Sequence, residues 1–344
     1  MVIKPVNIQR QSNMELLRIV AMLAVIAVHL DGASLGLPSP QANISLLSRD
    51  DWWRLAMEAV TIVGVNCFTL ISGYFGIRTS FKGFTIFSIW CLVYSVGICS
   101  VVMLIRAYTG SDVCSFGEWI ESWLIYTHND LWYVPAYLGL YLLAPFLNSA
   151  INNLSQKLYF VYLAAFVAFN VYCGWFWGGS FNPTGYTLVH LIMMDLIGLY
   201  IGKYFTLTDG NRRNVRLRSY IIYVIATILI TLMAAVTESN FAFAYNSPLV
   251  IVSSVALFIV FATLQFNSKW INYVASSAFA AYLIHKNPYI WGGFIKPFTK
   301  SVWENSSLLE FTLFYILFAL FVFALSVLVD IVRRAIFRRL GLAK

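Results

Sequence analysis

The chain has 344 residues, of which 60% are hydrophobic and 11% charged, and its mean hydropathy is +0.75. Soluble domains carry about 25% charged residues, so this composition excludes an ordinary soluble fold and indicates a polytopic membrane protein. The net charge of +8 does not indicate nucleic-acid binding, because the basic residues lie in short clusters between apolar runs.

About ten apolar stretches are long enough to cross a bilayer, since a spanning helix needs roughly 20 mostly apolar residues. In chain order they run near 14–31, 57–76, 84–106, 131–150, 158–177, 184–204, 217–237, 247–266, 273–292 and 308–332. We therefore predict an all-α bundle of about ten transmembrane helices that forms one membrane domain over 1–344, with a basic tail near 333–344. The first segment is expected to remain as an anchor, because no small-residue cleavage site follows it.

The distribution of Lys and Arg predicts the orientation of the bundle. With the N-terminus in the cytoplasm, the inside loops hold most of the cations, including the run "KYFTLTDGNRRNVRLR" at 203–218. The outside loops then hold most of the acids: Asp31, Asp50, Asp51, Asp112, Glu118, Glu121, Asp130, Glu238 and Glu304. We expect a multi-pass protein of the plasma (inner) membrane, in contact with lipid, with both termini cytoplasmic.

The first apolar segment carries two groups that lipid disfavours, Arg18 and His29. They are eleven positions apart, which places both on one face of a helix and separates them by roughly 16 Å along its axis. For Arg18 alone, the simpler interpretation is a side chain that reaches the lipid headgroups and pairs with Glu15. For two such groups on one face, a functional role is the better interpretation. His29 is suited to act as a general base near neutral pH, and Arg18 is suited to bind phosphate or carboxylate.

The second segment contains "GVNCFTLISGYFGIRTSFKGF", with Asn66 and Ser72 inside the span and Arg78 and Lys82 in the basic turn that follows. By the orientation above, this turn lies on the same side as Arg18. Three gathered cations would form a site for an anionic ligand, whereas ordinary basic flanking of a span explains the turn without a ligand. Asn66 and Ser72 are candidate substrate-binding residues.

Polar and aromatic residues begin the fourth segment, "THNDLWYVPAYLGLYLLAPFLN". An interfacial aromatic belt explains Trp132 and Tyr133, but it does not explain the dense polar run that includes His128 and Asp130. Aromatic faces beside polar groups also suit a sugar ring, so these four residues are candidate substrate-binding residues.

Two further segments carry histidines. His285 precedes Lys286 and Pro288 in "SSAFAAYLIHKNPYIW", where a helix end at the outer interface is the simpler interpretation and substrate binding the functional one. His190 and Asp195 lie on different faces of one span, so we expect them to pack against other helices.

The cysteines indicate no further chemistry, and the common metal-binding and nucleotide-binding motifs are absent from the sequence. Cys67, Cys91, Cys99, Cys114 and Cys173 lie mostly within apolar runs and form no CxxC pair, so we interpret them as core thiols. The chain has no HExxH, P-loop or GxGxxG motif, and no metal site is predicted.

Taken together, these segments resemble the membrane acyltransferase type 3 family. "ELLRIVAMLAVIAVH" is similar to the family's first helix, in which ten residues separate an arginine from a histidine, and "CFTLISGYF" is similar to its second helix, which ends in Ser-Gly-Tyr. "DLWYVPAYLGLYLLAP" and "SSAFAAYLIH" resemble the family's Leu-Trp-Phe/Tyr and Tyr-Leu-Ile-His segments. These matches follow the family's order from about residue 13 to 290.

The resemblance implies acetyl-CoA as the acyl donor, His29 as the catalytic residue and Arg18 in the donor site. Many members also carry an arginine-rich segment entering the third helix. Here that stretch is "FKGFTIFSIWCLVYS", which offers Lys82 with Arg78 upstream. Arg78, Lys82 or the 203–218 loop are the candidates to hold the phosphates of the donor.

We therefore expect an O-acetyltransferase that moves an acetyl group from cytoplasmic acetyl-CoA to a hydroxyl of a surface polysaccharide or a lipid-linked sugar. The sequence leaves open whether the hydroxyl attacks directly or whether His29 carries the acetyl group. The alternative is a transporter or flippase for a polysaccharide or lipid-linked glycan, since buried ionisable groups and aromatics suit a transport pathway as well.

Overall fold

The computed structural model describes residues 10–41, 43–110, 115–127, 131–179 and 181–341. All regular elements within these ranges are helical, so the all-α prediction is confirmed. The α-helices in chain order are α1 (Ser12–Val28), α2 (Arg49–Thr61), α3 (Gly64–Phe75), α4 (Phe81–Thr109), α5 (Phe116–Glu121), α6 (Tyr133–Asn153), α7 (Gln156–Asn170), α8 (Leu188–Tyr204), α9 (Asp209–Val236), α10 (Ser239–Ala242), α11 (Pro248–Ala262), α12 (Lys269–Ala275), α13 (Ala278–His285), α14 (Pro288–Ile290), α15 (Lys296–Asn305) and α16 (Leu308–Arg339). Three π-helical turns, His29–Ala33, Val171–Phe176 and Trp291–Ile295, and one 3-10 turn, Ile44–Leu46, complete the list.

Seven helical stretches of the described chain are long and apolar enough to cross a membrane, as expected for a multi-pass membrane protein. They are Ser12–Ala33, Arg49–Phe75, Phe81–Thr109, Tyr133–Asn153, Gln156–Phe176, Asp209–Val236 and Leu308–Arg339. The other three predicted spans are shorter or interrupted, because α8 has 17 residues, α11 has 15, and turns separate α12, α13 and α14. A 17-residue helix is about 26 Å long, slightly less than the bilayer core of about 30 Å.

Several helices at one end of the bundle start with the same local motif. Ser48, Ser115 and Ser307 each cap a helix, and the acid three residues later bonds back to the serine to complete a capping box. The acids of the first two boxes are Asp51 and Glu118. Part of the acidic bias in the predicted outside loops therefore has a local cause in helix initiation.

The helices divide into a central group and a peripheral group. In the most apolar stretch of α2 and α3, 67% of the residues are buried, whereas the share is 17% in α4 and in Gln156–Phe176. The peripheral helices thus present most of their apolar side chains outward, as lipid-facing helices do. Cys67, Cys91 and Cys99 are buried, which agrees with their interpretation as core residues, whereas Cys173 is partly exposed and Cys114 lies outside the described residues.

Small residues allow α3 and α8 to pack backbone against backbone. A Cβ atom on Gly73 would collide with the backbone carbonyl of Asp195, and a Cβ on Gly198 would lie 2.5 Å from the carbonyl oxygen of Leu70. Gly202, one turn after Gly198, would collide in the same way with the carbonyl of Tyr74. This is the close helix approach that small residues permit in membranes.

The two ends of the bundle differ in charge. At the basic end, where α1 begins, Arg10 Nη1 donates to the carbonyl of Asn272 at 2.8 Å, and Arg334 Nη1 donates to the carbonyl of Tyr273 at 3.1 Å. Arg334 was predicted in the basic tail and belongs to α16. At the opposite, acidic end, α1 finishes in the π turn His29–Ala33 and α2 begins. The assignment of the basic end to the cytoplasm stays a prediction.

Replacing Gly73 with Ala is expected to destabilise the protein by about 1–3 kcal/mol, because the new methyl group has no room against the backbone of α8. The measurement is the midpoint of thermal unfolding of the purified protein in detergent. Gly97→Ala in α4 is the matched control, since nothing lies within 4 Å of its added Cβ. Equal midpoints for the two variants would contradict the close packing of α3 on α8.

Candidate active site

His29 lies at the point where α1 widens into a π-helical turn, His29–Ala33. Such turns are rare and occur often at functional sites. The Nδ1 atom of His29 lies 2.9 Å from Nε2 of His285, the last residue of α13. The Nδ1 atom of His285 lies 2.5 Å from the carbonyl oxygen of Ala281. The first and the ninth predicted spans thus meet through two imidazoles.

These contacts determine where the protons of two neutral rings lie. Because a carbonyl oxygen accepts a hydrogen bond and cannot donate one, His285 must carry its proton on Nδ1. His285 Nε2 is then the acceptor, and His29 must donate to it from Nδ1. This arrangement leaves Nε2 of His29 without a proton, as a general base or a nucleophile requires.

Two cavities meet at His29. The acidic-end cavity has a volume of ≈ 600 Å³ and is lined by His29, Gly32, Glu58, Trp132, Tyr186 and Lys286, among others. The narrow cavity has a volume of ≈ 40 Å³ and follows α1 from His29 past Val25 to Met22, one turn short of Arg18. His29 therefore faces an internal space rather than lipid. This agrees with the functional role predicted for the helix face that His29 shares with Arg18.

Arg18 pairs with Glu15, as the simpler interpretation of the sequence predicted. The distance from Arg18 Nη1 to Glu15 Oε2 is 2.9 Å, and the Arg18 side chain remains 28% exposed. Arg18 also interacts electrostatically with Tyr133 and Tyr137 of α6. It is not among the residues that line the narrow cavity.

A row of tyrosines occupies the space between Arg18 and the histidine pair. The ring centroids of Tyr137 and Tyr133 are 5.7 Å apart, and those of Tyr133 and Tyr282 are 6.0 Å apart. Tyr282 in turn lies 6.1 Å from the ring of His285. The connection between the cation and the base therefore consists of phenol rings, and it is narrow rather than an open channel.

Asn66 and Ser72, the residues predicted in the second span to bind substrate, form hydrogen bonds to other residues of the protein. Asn66 donates to the carbonyl of Tyr245 at 3.1 Å, and its Oδ1 lies 2.7 Å from His190 Nε2, so both ends of its amide are used within the core. This pairing also confirms that His190 packs against another helix. Ser72 bonds the carbonyl of Phe68 at 3.2 Å and interacts with Tyr137.

Trp132 and Tyr133 are the two predicted acceptor-side residues that reach the cavities. Trp132 lines both the acidic-end and the narrow cavity, and its ring lies 4.8 Å from that of Tyr186. Tyr133 lines the narrow cavity. His128 and Asp130, which were predicted with them, lie outside the described residues.

The predicted donor-side cations are spread over the basic end. Arg78 and Lys82 are exposed in and after the turn that joins α3 to α4. A separate basic-end cavity of ≈ 540 Å³ is lined by Arg10, Gln11 and Arg212, among others. Arg212 lies in the 203–218 run that was considered for the donor phosphates. In the described part of the chain, no group of three or more His, Cys, Asp or Glu side chains is arranged to hold a metal ion.

Three residues of the site have roles that the sequence did not suggest. The sequence did not suggest that His285 Nε2 is the hydrogen-bond partner of His29 Nδ1, and substrate binding by His285 stays a prediction. Glu58 lines the acidic-end cavity. Arg54 forms an ion pair with Asp31, which lies two residues after His29 in the chain. The acid within the predicted span 57–76 was the available signal for Glu58, since such residues are rare within spans.

The family comparison agrees with this geometry. The model of the acyltransferase domain that defines the acyltransferase 3 family matches residues 11–331. This match covers most of the chain, so the protein belongs to the acyltransferase 3 family and is a membrane acyltransferase. Comparison with curated proteins and with solved structures found no match.

Replacing His285 with Ala is expected to lower the rate of acyl transfer about a hundredfold, because His29 then loses the acceptor that holds its proton on Nδ1. The measurement is the release of free thiol from the acyl donor by the purified protein. His285→Gln should recover part of the rate, since its amide oxygen can accept from the same N–H. If His285→Ala kept the full rate, His285 would have no part in orienting His29.

Proposed function

We propose that this protein is an O-acetyltransferase that moves an acetyl group from acetyl-CoA, bound at the basic end, to a hydroxyl of a surface polysaccharide or lipid-linked sugar, bound at the acidic end. In this proposal the protein lies in the plasma (inner) membrane, with both termini in the cytoplasm. The single observation that carries the proposal is the position of His29 at the junction of the two cavities, with its Nδ1 bonded to His285.

In the direct route, His29 Nε2 takes the proton of the acceptor hydroxyl while the hydroxyl oxygen attacks the carbonyl carbon of the thioester. The C–S bond breaks, and the proton passes from His29 to the thiolate that leaves. In the two-step route, Nε2 itself forms a bond to the acetyl carbon while the C–S bond breaks and the thiolate leaves. The acceptor hydroxyl then displaces Nε2 from the acetyl carbon, and the proton of the hydroxyl passes to the thiolate. Both routes require the same proton-free Nε2 and differ in whether an acetylated His29 exists.

The acceptor is proposed to bind in the acidic-end cavity. Its volume of ≈ 600 Å³ lies within the range of about 300–1,000 Å³ that is typical of ligand pockets. Trp132 and Tyr186 supply aromatic faces for a sugar ring, and Tyr133 continues this surface towards the narrow cavity.

The anionic end of the donor is proposed to bind at the basic end, with Arg18 on α1, the helix that leads to His29, and with Arg78 and Lys82 on the surface. The basic-end cavity supplies Arg10 and Arg212 as a second set of cations. Gln11, the N-cap residue of α1, lines that cavity, so the cavity lies at the end of α1 that precedes Arg18.

Replacing His29 with Ala or with Gln is expected to abolish acetylation, because neither side chain can take the proton or carry the acetyl group. The measurement is mass spectrometry of surface glycans, which detects the loss of one acetyl group per modified unit. His190→Gln is the matched control, since His190 lines neither cavity that meets at His29. Glycan that remains acetylated with the His29 variants would contradict the role of His29, and glycan that disappears from the surface would favour a transporter.

Replacing Arg18 with Ala is expected to weaken acetyl-CoA binding about tenfold, because it removes a partly buried cation from the donor end. Equilibrium binding of acetyl-CoA to the purified protein tests this, with Lys157→Ala as an exposed cation control. The same assay on Arg78→Ala, Lys82→Ala, Arg10→Ala and Arg212→Ala distinguishes the two sets of cations. An Arg18→Ala protein that binds the donor as tightly as Lys157→Ala would remove Arg18 from the donor site.

A further inference from the structure

A buried glutamate lies against the turn that carries His29. Glu58 of α2 is 3% exposed and lines the acidic-end cavity together with His29. Both oxygens of its carboxylate lie 3.1 Å from the position that a Cβ atom on Gly32 would take, and the carboxylate accepts a hydrogen bond from the backbone N–H of Gly32. The missing side chain of Gly32 is what lets the carboxylate approach the π turn so closely.

The nearby arginine does not use up the bonding capacity of Glu58. Arg54 Nε donates to Asp31 Oδ1 at 2.6 Å, and Arg54 Nη2 donates to the carbonyl of Gly36. The Arg54 guanidinium also lies over the ring of Trp303, 5.2 Å from its centroid. Within the described chain, Oε2 of Glu58 has no hydrogen-bond partner.

A buried carboxylate oxygen without a donor is unfavourable and needs an explanation. An ionisable side chain within a membrane span usually faces a partner or a water-filled cavity and indicates a functional site. The aromatic rings of Trp132 and Tyr186 line the same cavity, with their centroids 4.8 Å apart. A sugar ring offers both an apolar face for such rings and several O–H donors for a carboxylate. The cavity therefore combines the two contacts that a sugar needs, next to His29.

We propose that Glu58 binds the acceptor: its Oε2 accepts a hydrogen bond from a second hydroxyl or N–H of the sugar whose hydroxyl is acylated beside His29. The acceptor class is a pyranose that offers at least two hydrogen-bond donors. Glu58 takes no proton in this role, so the transfer chemistry at His29 is unchanged. The inference rests on the proposed function and adds to it the residue that selects the hydroxyl.

The test compares Glu58→Gln with wild type in detergent, with radiolabelled acetyl-CoA as donor. The acceptor probe is surface glycan isolated from a strain that lacks the gene. The amide of the variant keeps an oxygen for the Gly32 N–H but replaces the accepting Oε2 with an NH2 donor, so the apparent KM for the glycan should rise about tenfold to a hundredfold. The equilibrium affinity for acetyl-CoA should stay at the wild-type value. Glu304→Gln is the matched control, since Glu304 is exposed at the acidic end.

Each other result has a defined meaning. If wild-type protein acetylates the glycan and Glu58→Gln has the same KM for it, Glu58 does not bind the acceptor, and the proposed function is unaffected. Wild-type protein that transfers no acetyl group to the glycan overturns both. If Glu58→Gln lowered the affinity for acetyl-CoA and the thermal midpoint as well as raising the KM for the glycan, Glu58 would have a structural role. That result also overturns the inference.

Gly32→Ala supplies a second variant that keeps Glu58 itself. Its added methyl group lies 3.1 Å from the carboxylate oxygens, so the carboxylate must move by a few tenths of an ångström. We expect the KM for the glycan to rise again while donor affinity stays the same. Wild-type KM in a folded Gly32→Ala protein would contradict a requirement for the carboxylate at its present position.

Discussion

The hydrogen bond between His29 and His285 joins helices whose bonding residues are 256 positions apart. An imidazole inside an apolar bundle is stable when its polar atoms have partners, so this pairing determines where both rings lie. The carbonyl of Ala281 sets the direction of the bond, because it requires the proton of His285 on Nδ1. Because Nδ1 of His29 is bonded to His285, Nε2 is the ring nitrogen that remains available for reaction. The two cavities meet at that ring.

Two of the three π turns in the described chain lie beside this bond. α1 widens into a π turn at His29–Ala33, and a second π turn, Trp291–Ile295, contributes Trp291, whose ring lies 5.4 Å from that of His29. The break between α2 and α3 places Thr61 and Ile62 on the wall of the narrow cavity. Non-helical backbone inside a membrane is tolerated where it lines a cavity or is covered by protein, so these distortions agree with an internal site.

The sequence was sufficient to predict most of the long helices and the inward direction of His29, and it offered the Arg18–Glu15 pair as one interpretation, because each depends on spacing within one helix. It did not predict the orienting role of His285, and it assigned Asn66 to substrate although its amide bonds Tyr245 and His190 in the core. Helical periodicity tells which residues share a face of one helix. It does not tell which residue of another helix that face meets, and the cavity role of Glu58 was missed for this reason.

What the sequence by itself determined is the class of the molecule and the location of its helices. A bilayer requires each backbone segment to satisfy its own hydrogen bonds, so apolar runs of sufficient length become helices whatever surrounds them. The tertiary structure alone decided that His285 is the partner of His29 and that Asp31 is the partner of Arg54. It also decided that Oε2 of Glu58 has no hydrogen-bond partner among the described residues. These contacts depend on how close the helices approach, which small residues such as Gly32 and Gly73 permit and which no pattern within a single helix encodes.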